Sequence, residues 1–225
     1  MPLSEILYKI LIQGGSYNTI LKGLGATVHI SFFSLLFGTL LGAFICLMRM
    51  SHSKIFSIPA KFYIVILRGS PVLMLLMLMY YGVFARSPLD ANTIAVITFS
   101  MNVAAHVAEL LRASVSATDK GQVEAARTLG FSAWQAFRLI TLPQVIRIAK
   151  PVYQSTVVNL IKWTSVVGYV SITDLTRVIN NIASRTMQPM ITIIIGMLIY
   201  LALAYIVHGL FALSDYFQHR KEAIS

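Results

Sequence analysis

Long apolar stretches separated by brief polar ones dominate the chain. No formally charged residue stands between Gly23 and Met48, or between Thr186 and Ser214. Each run exceeds the ~20 residues that a helix needs to cross the hydrocarbon core of a bilayer. Three further segments are long and mainly apolar although they carry charges, so the pattern predicts five spans at about 23–48, 56–85, 91–111, 151–175 and 187–214. The expectation is one all-α integral membrane domain over residues 1–225. It carries a long polar loop at 116–148 and a polar tail at Gln218–Ser225. Leu3, Ile6, Leu7, Ile10 and Leu11 recur at helical spacing near the start. They predict a short amphipathic helix, lying on the membrane surface or packed against the bundle. That segment lacks the basic start and apolar run of a cleavable signal peptide.

Composition supports a lipid-solvated chain. Hydrophobic residues make up 57% and charged residues 12%, against about 25% charged in soluble domains. The net charge of +10 does not point to nucleic acid, because the basic residues sit at span ends, where the positive-inside rule accounts for them. Arg49, Lys54, Lys61, Arg112, Lys120, Arg127, Arg138, Arg147, Lys150, Arg220 and Lys221 fall on one side. Lys9, Lys22, Arg86, Arg177 and Arg185 fall on the other. The richer side is expected to be cytoplasmic, which puts the N-terminus outside and the polar loop and C-terminus inside. The single Cys46 lies in an apolar run and implies neither a disulfide framework nor a metal set.

Polar residues inside spans are costly, roughly 2.5–3.5 kcal/mol per charge at a helix centre. They therefore mark either a wet pathway or a buried ion pair that holds the bundle together. Asn102, His106 and Glu109 share one helix face, and so do Ser155, Asn159, Lys162 and Ser165. Arg68-Gly69-Ser70-Pro71 interrupts the second span. Proline removes a backbone donor and glycine permits unusual angles, so a helix break is expected there. A zwitterionic amino acid, like any small polar or charged solute, finds a candidate cation for its carboxylate in Arg68 or Lys162 and a candidate acid for its ammonium in Glu109. His106 reads either as a satisfied core histidine or as a pH-sensitive group. Met74, Met77 and Met79 read as adaptable packing.

The loop Glu124–Pro143 reads EAARTLGFSAWQAFRLITLP. Asp119 with Gln122, and Ser132 with Gln135, have capping-box spacing. Gly130 suits the left-handed residue that ends a helix. A helix–glycine–helix knuckle is expected, its second helix running to about Thr141, ahead of Pro143. No G-x-x-x-x-G-K-S/T is present, so P-loop binding of nucleotide is excluded.

Glu124-Ala125-Ala126, Gly130, Ile140 and Leu142-Pro143 keep the spacing of the EAA loop, and the chain resembles the permease subunits of bacterial ATP-binding-cassette importers. Leu67-Arg68-Gly69-Ser70-Pro71 is similar to the F-R-G-T-P segment of the polar amino-acid uptake branch. Ala108-Glu109-Leu110-Leu111-Arg112 is similar to its A-E-x-x-R segment, Lys120-Gly121-Gln122 to its K-G-Q start, Leu142-Pro143-Gln144 to its L-P-Q ending, and Lys162-Trp163-Thr164-Ser165 to its K-D-T-S segment. Trp163 departs from that pattern where an acid is common, and His106 where an aromatic is common.

The resemblance covers about Thr27 to Tyr205. It implies a type I importer fold in the bacterial inner membrane, with alternating access. The implied partners are two ATPase subunits that bind ATP and magnesium, a second permease copy (identical or related), an extracytoplasmic solute-binding protein and membrane lipid. No cofactor is implied in this chain. The implied substrate pathway takes in Gly69, Ser70, Glu109, Lys162 and Ser165, with Arg68 and Arg112 as further candidates, and the two polar stripes add Asn102 and Asn159. Coupling is implied for Glu124, Ala125, Ala126, Gly130, Ile140, Leu142 and Pro143. Other readings are an ion-coupled secondary carrier, a substrate-free partner permease and a structural membrane subunit. An enzyme is not expected, since no catalytic constellation is present.

Overall fold

The computed structural model describes residues 3–222, and the last three residues of the predicted polar tail lie outside it. Every regular element among the described residues is helical: α1 (Leu3–Leu11), α2 (Ser16–Met50), α3 (Lys54–Gly69), α4 (Val72–Met77), α5 (Ala91–Ser116), α6 (Lys120–Thr128), α7 (Ala133–Ala136), α8 (Leu142–Trp163), α9 (Leu175–Thr186) and α10 (Pro189–Glu222). Wider π-type turns follow α4 at Leu78–Val83 and α7 at Phe137–Thr141, and a tighter 3₁₀ segment follows α8 at Thr164–Val170. Three helices, α2, α5 and Pro189–Tyr216 of α10, are long and apolar enough to cross a membrane. The broken pair α3–α4 makes a fourth if counted as one span.

The residues group into two compact units. One holds Met1–Leu35, Pro71–Phe99 and Val157–Ser225. Its core is built on α9, whose buried Leu175, Val178, Ile179, Ile182, Ala183 and Thr186 form one stripe at helical spacing. Ile10 of α1 and Ile20 of α2 join that core. The amphipathic helix at the start of the chain is therefore a packing helix. It is tied down by Arg185, which donates to the Gln13 carbonyl (3.1 Å) and to the Ser16 hydroxyl. Asp174 is fully buried and caps α9, accepting from the backbone N–H groups of Thr176 (3.1 Å) and Arg177 (3.0 Å). The Thr27 hydroxyl of α2 accepts the N–H of Leu175 at 3.3 Å, so the first turn of α9 is satisfied from several directions. Asp90 caps α5 through Asn92 and Thr93, and the Thr93 hydroxyl, with these backbone donors, holds its carboxyl below the usual range.

The other unit holds Leu36–Ser70 and Ser100–Thr156. Ile45, Cys46, Ala60, Ile64, Ala104 and Ala108 form its buried cluster, so the lone cysteine serves as a small core residue. Small residues dominate because the backbones approach closely. Gly38 and Gly42 of α2 face Val103 and Val107 of α5, and a Cβ on either glycine falls 2.7 Å from a valine carbon. The Thr39 and Tyr153 hydroxyls hydrogen-bond at 2.8 Å, and the Tyr63 hydroxyl donates to the Met101 carbonyl at 2.9 Å.

Candidate functional site

The break expected at Arg68–Pro71 is present. α3 ends at Gly69 and α4 begins at Val72. In an unbroken helix the Leu67 carbonyl accepts from the N–H of residue 71, but Pro71 has none. The buried Asn102 of α5 supplies the missing donor, its side-chain nitrogen 2.8 Å from the Leu67 oxygen. An unsatisfied backbone group at membrane depth costs several kcal/mol, so a break survives only where a neighbour answers it. Ser70 closes the helix end, its N–H and hydroxyl both donating to the Ile66 carbonyl (3.0 and 2.8 Å). Asn102→Leu removes the only donor that reaches Leu67 among the described residues. We expect a loss of about 1–3 kcal/mol, read as a lower Tm of the detergent-solubilised protein. A wild-type Tm would show that the bond adds nothing.

On the same α5 face, Glu109 is not idle. Arg112 grips it through two donors, Nε at 3.0 Å and Nη2 at 2.6 Å, in the bidentate geometry of a strong pair. Both side chains are about a third exposed, 32% for Arg112 and 27% for Glu109. The carboxylate assigned to a solute ammonium on sequence grounds is thus engaged by its neighbour. Arg68 and Gly69 are exposed, Ser70 is half-buried, and His106 is half-buried with partners of its own.

In the other unit, Asn159 and Lys162 are exposed on α8. Lys162 has no hydrogen-bonding or ionic partner among the described residues. It lines a groove of about 740 Å³ whose walls include Ile179 of α9 and Met197 and Leu201 of α10. The expected polar stripe is not continuous. α8 ends at Trp163, where the Thr164 hydroxyl turns back to the Ile161 carbonyl at 2.7 Å and the chain tightens into a 3₁₀ segment. Ser165 therefore lies past the α-helical register of Ser155, Asn159 and Lys162, and lines a separate recess with Arg177.

The knuckle follows its sequence closely, with two differences. Ser132 and Gln135 form a reciprocal capping box, with bonds of 3.2 and 2.7 Å. Asp119 caps α6 by accepting from the Gly121 N–H at 2.9 Å, but no box forms with Gln122. Gln122 is instead bonded to Gln144, which also accepts the Asp119 N–H, so one glutamine from α8 clasps the loop's start. The second difference is at the loop's end. The second helix does not stop before Pro143. A π-type turn at Phe137–Thr141 carries it into α8, and Pro143 sits in the first turn of that helix, where a missing N–H is least costly. Glu124, Ala125, Gly130, Leu142 and Pro143 are exposed, Ile140 is half-buried, and Ala126 is buried.

Sequence reasoning passed over the apolar residues that decorate this knuckle. Leu129 (80% exposed), Trp134 (67%) and Leu139 (60%) are bare, with the Trp134 ring stacked on Phe137 at 5.7 Å. The signal was available as large apolar residues inside the one long polar interval. Exposed apolar surface rimmed by polar residues is the character of a protein or membrane contact.

A span broken beside charged residues, its freed carbonyl answered from the next helix, is the construction of a helical membrane transport subunit. The chain belongs to the family of binding-protein-dependent transport system inner membrane components, which matches residues 26–220. It is 39% identical over 203 residues to the probable amino-acid ABC transporter permease protein YckA of Bacillus subtilis (strain 168), covering 90% of each chain. It is 32% identical to the nopaline transport system permease protein NocM of Agrobacterium fabrum, covering 89% of this chain and 88% of that one. A solved amino acid ABC transporter with histidines superposes with a TM-score of 0.82 at 32% identity, over 95% of this chain and 97% of that one.

Proposed function

We propose that the chain is the permease subunit of an ATP-driven importer for polar or charged amino acids. The observation that carries this reading is the capped helix–glycine–helix knuckle with its bare apolar residues, in a chain of this family. Similarity to a probable amino-acid permease supports the substrate class. Five spans cross the bacterial inner membrane, with the N-terminus outside and the knuckle and C-terminus in the cytoplasm. The lysine and arginine distribution supports that orientation. Two ATPase subunits bind ATP and magnesium and dock on the knuckles of two permease copies, identical or related. An extracytoplasmic binding protein delivers the solute. Hydrolysis is the partner's chemistry, and this chain supplies the pathway through Arg68, Gly69, Ser70, Asn102, Glu109, Arg112, Asn159, Lys162 and Ser165. Coupling falls to Glu124, Ala125, Ala126, Gly130, Ile140, Leu142 and Pro143.

The test is reconstitution of the chain with its ATPase and binding protein in proteoliposomes, followed by uptake of a radiolabelled amino-acid panel. ATP-dependent uptake of at least one polar amino acid is expected. Uptake by this chain alone, driven by an ion gradient, would overturn the reading in favour of a secondary carrier. ATPase binding without uptake of any amino acid would overturn the substrate class.

A further inference from the structure

Between the 3₁₀ segment after α8 and the first turns of α9 lies a recess of about 340 Å³, lined by Ser165, Gly168, Tyr169, Thr176, Arg177 and Asn180. Only one of these residues is charged. Arg177 is half-buried, and its position is fixed at both ends. Its backbone N–H is held by Asp174, and one terminal guanidinium nitrogen donates to the Gly168 carbonyl at 2.7 Å. A guanidinium has five N–H donors. No carboxylate lies within ion-pair distance of Arg177 among the described residues. Asp174 spends its carboxylate on the backbone of α9 and on Tyr200. The helix end is therefore already capped, and the unanswered positive charge in the recess belongs to the arginine.

The rest of the lining has the same character. Asn180 stands one turn along α9 from Arg177, exposed, and its side-chain amide has no hydrogen-bond partner among the described residues. The Ser165 hydroxyl is likewise unspent, while the Thr176 hydroxyl is bonded to Tyr200 at 2.9 Å. A pre-aimed guanidinium flanked by an open amide and a hydroxyl is complementary to a carboxylate, which an arginine fork binds bidentately. Thr176 and Asn180 also line the larger apolar groove that holds Lys162. A solute held by its carboxylate in the recess thus has room for its remaining atoms next door.

We propose that this recess is a carboxylate-binding site for the transported solute, with Arg177 as the anchor and Asn180 as its second donor. The proposal rests on the permease reading above and adds a site to it. The source of the anion is the solute rather than a lipid phosphate, because the recess shares Thr176 and Asn180 with a groove large enough for a small molecule.

Direct binding of a radiolabelled transported amino acid to the purified permease–ATPase complex, without binding protein, tests this in nanodiscs of neutral lipid. The wild type is expected to bind the amino acid and to discriminate against its α-carboxamide. Arg177→Gln weakens binding about tenfold or more and erases that discrimination, while Arg177→Lys recovers part of it. Because Arg177 also braces Gly168, Asn180→Leu provides a second variant whose side chain makes no bond in the fold, and it is expected to weaken binding several-fold. Wild-type affinity in both Arg177→Gln and Asn180→Leu overturns the site. So does a wild-type complex that binds no amino acid yet still takes it up with ATP and binding protein, an outcome that leaves the permease reading intact. An Arg177 effect seen only in anionic-lipid nanodiscs, and insensitive to the solute's carboxylate, assigns the recess to a headgroup and overturns the proposal as well.

Discussion

Gly130→Val is expected to cut ATP-driven uptake sharply while the protein still inserts and its ATPase partner still hydrolyses ATP. The residue sits at φ +90°, in the left-handed region. It is the hinge of a closed hydrogen-bonded stop. The Phe131 N–H reaches back to the Ala126 carbonyl (3.1 Å) and the Gly130 N–H to the Arg127 carbonyl (3.2 Å), the Schellman pattern. Arg127 then clamps the outgoing strand of chain through the Phe131 carbonyl at 2.7 Å. A Cβ at Gly130 meets no atom within 4 Å, so the penalty is not a clash. It lies in the backbone, where a β-branched residue at this φ costs about 1–3 kcal/mol. The chain relieves that strain by turning differently, which re-aims α7 and moves Trp134 and Leu139 away from α6. On the proposed coupling role, ATPase-dependent uptake in proteoliposomes falls at least about tenfold. Gly130→Asn, which tolerates the left-handed region better, keeps most of it. Wild-type uptake by Gly130→Val would sink the coupling role.

What was legible in the sequence was local. Pro71 announces its break because it lacks an N–H. Ser132 announces its cap because Gln135 stands three residues on. Gly130 announces a left-handed turn because few other residues tolerate one. The apolar runs announced α2, α5 and α10 by length alone. Partners far apart in sequence were not legible. Nothing near Asn102 says that its amide answers a carbonyl 35 positions earlier, although Pro71 does say that some carbonyl must be answered. Nor does the periodicity of Ser155, Asn159, Lys162 and Ser165 reveal that the α-helix ends between the third and the fourth. That depends on a threonine hydroxyl and on a glycine carbonyl held by Arg177. Charge pairing was half legible. Glu109 and Arg112 stand at i, i+3, a spacing that brings side chains together on a helix, but spacing alone does not say whether the acid serves its neighbour or a solute.

The structural seam of the second unit also joins residues far apart in sequence, and its disruption has the larger expected consequence for folding. Gly38 and Gly42 lie within the uncharged run of the first predicted span. They stand four apart, as in the G-x-x-x-G pattern that lets membrane helices approach at backbone distance. At Gly42 a Cβ falls 2.7 Å from the Val107 Cβ and 2.8 Å from the Ala104 carbonyl oxygen. At Gly38 it falls 2.7 Å from the Val103 Cβ and 2.9 Å from the Ser100 carbonyl oxygen. Two of these four neighbours are backbone atoms and the other two are the branch points of β-branched side chains, so none of them swings aside cheaply. Gly42→Leu must therefore push α2 and α5 apart along the seam that also buries Cys46, Ala104 and Ala108. Overpacking of this kind costs about 1–3 kcal/mol and more where the neighbours cannot relax. The added side chain here meets backbone. We expect little or no monodisperse Gly42→Leu protein on size-exclusion chromatography after membrane extraction. Gly42→Ala should be recovered in reduced yield with a lower Tm. Gly25→Ala, in the same helix with nothing within 4 Å of its Cβ, serves as the control and should behave as wild type. If Gly42→Leu is recovered in full with a wild-type Tm, the close crossing of α2 and α5 is wrong.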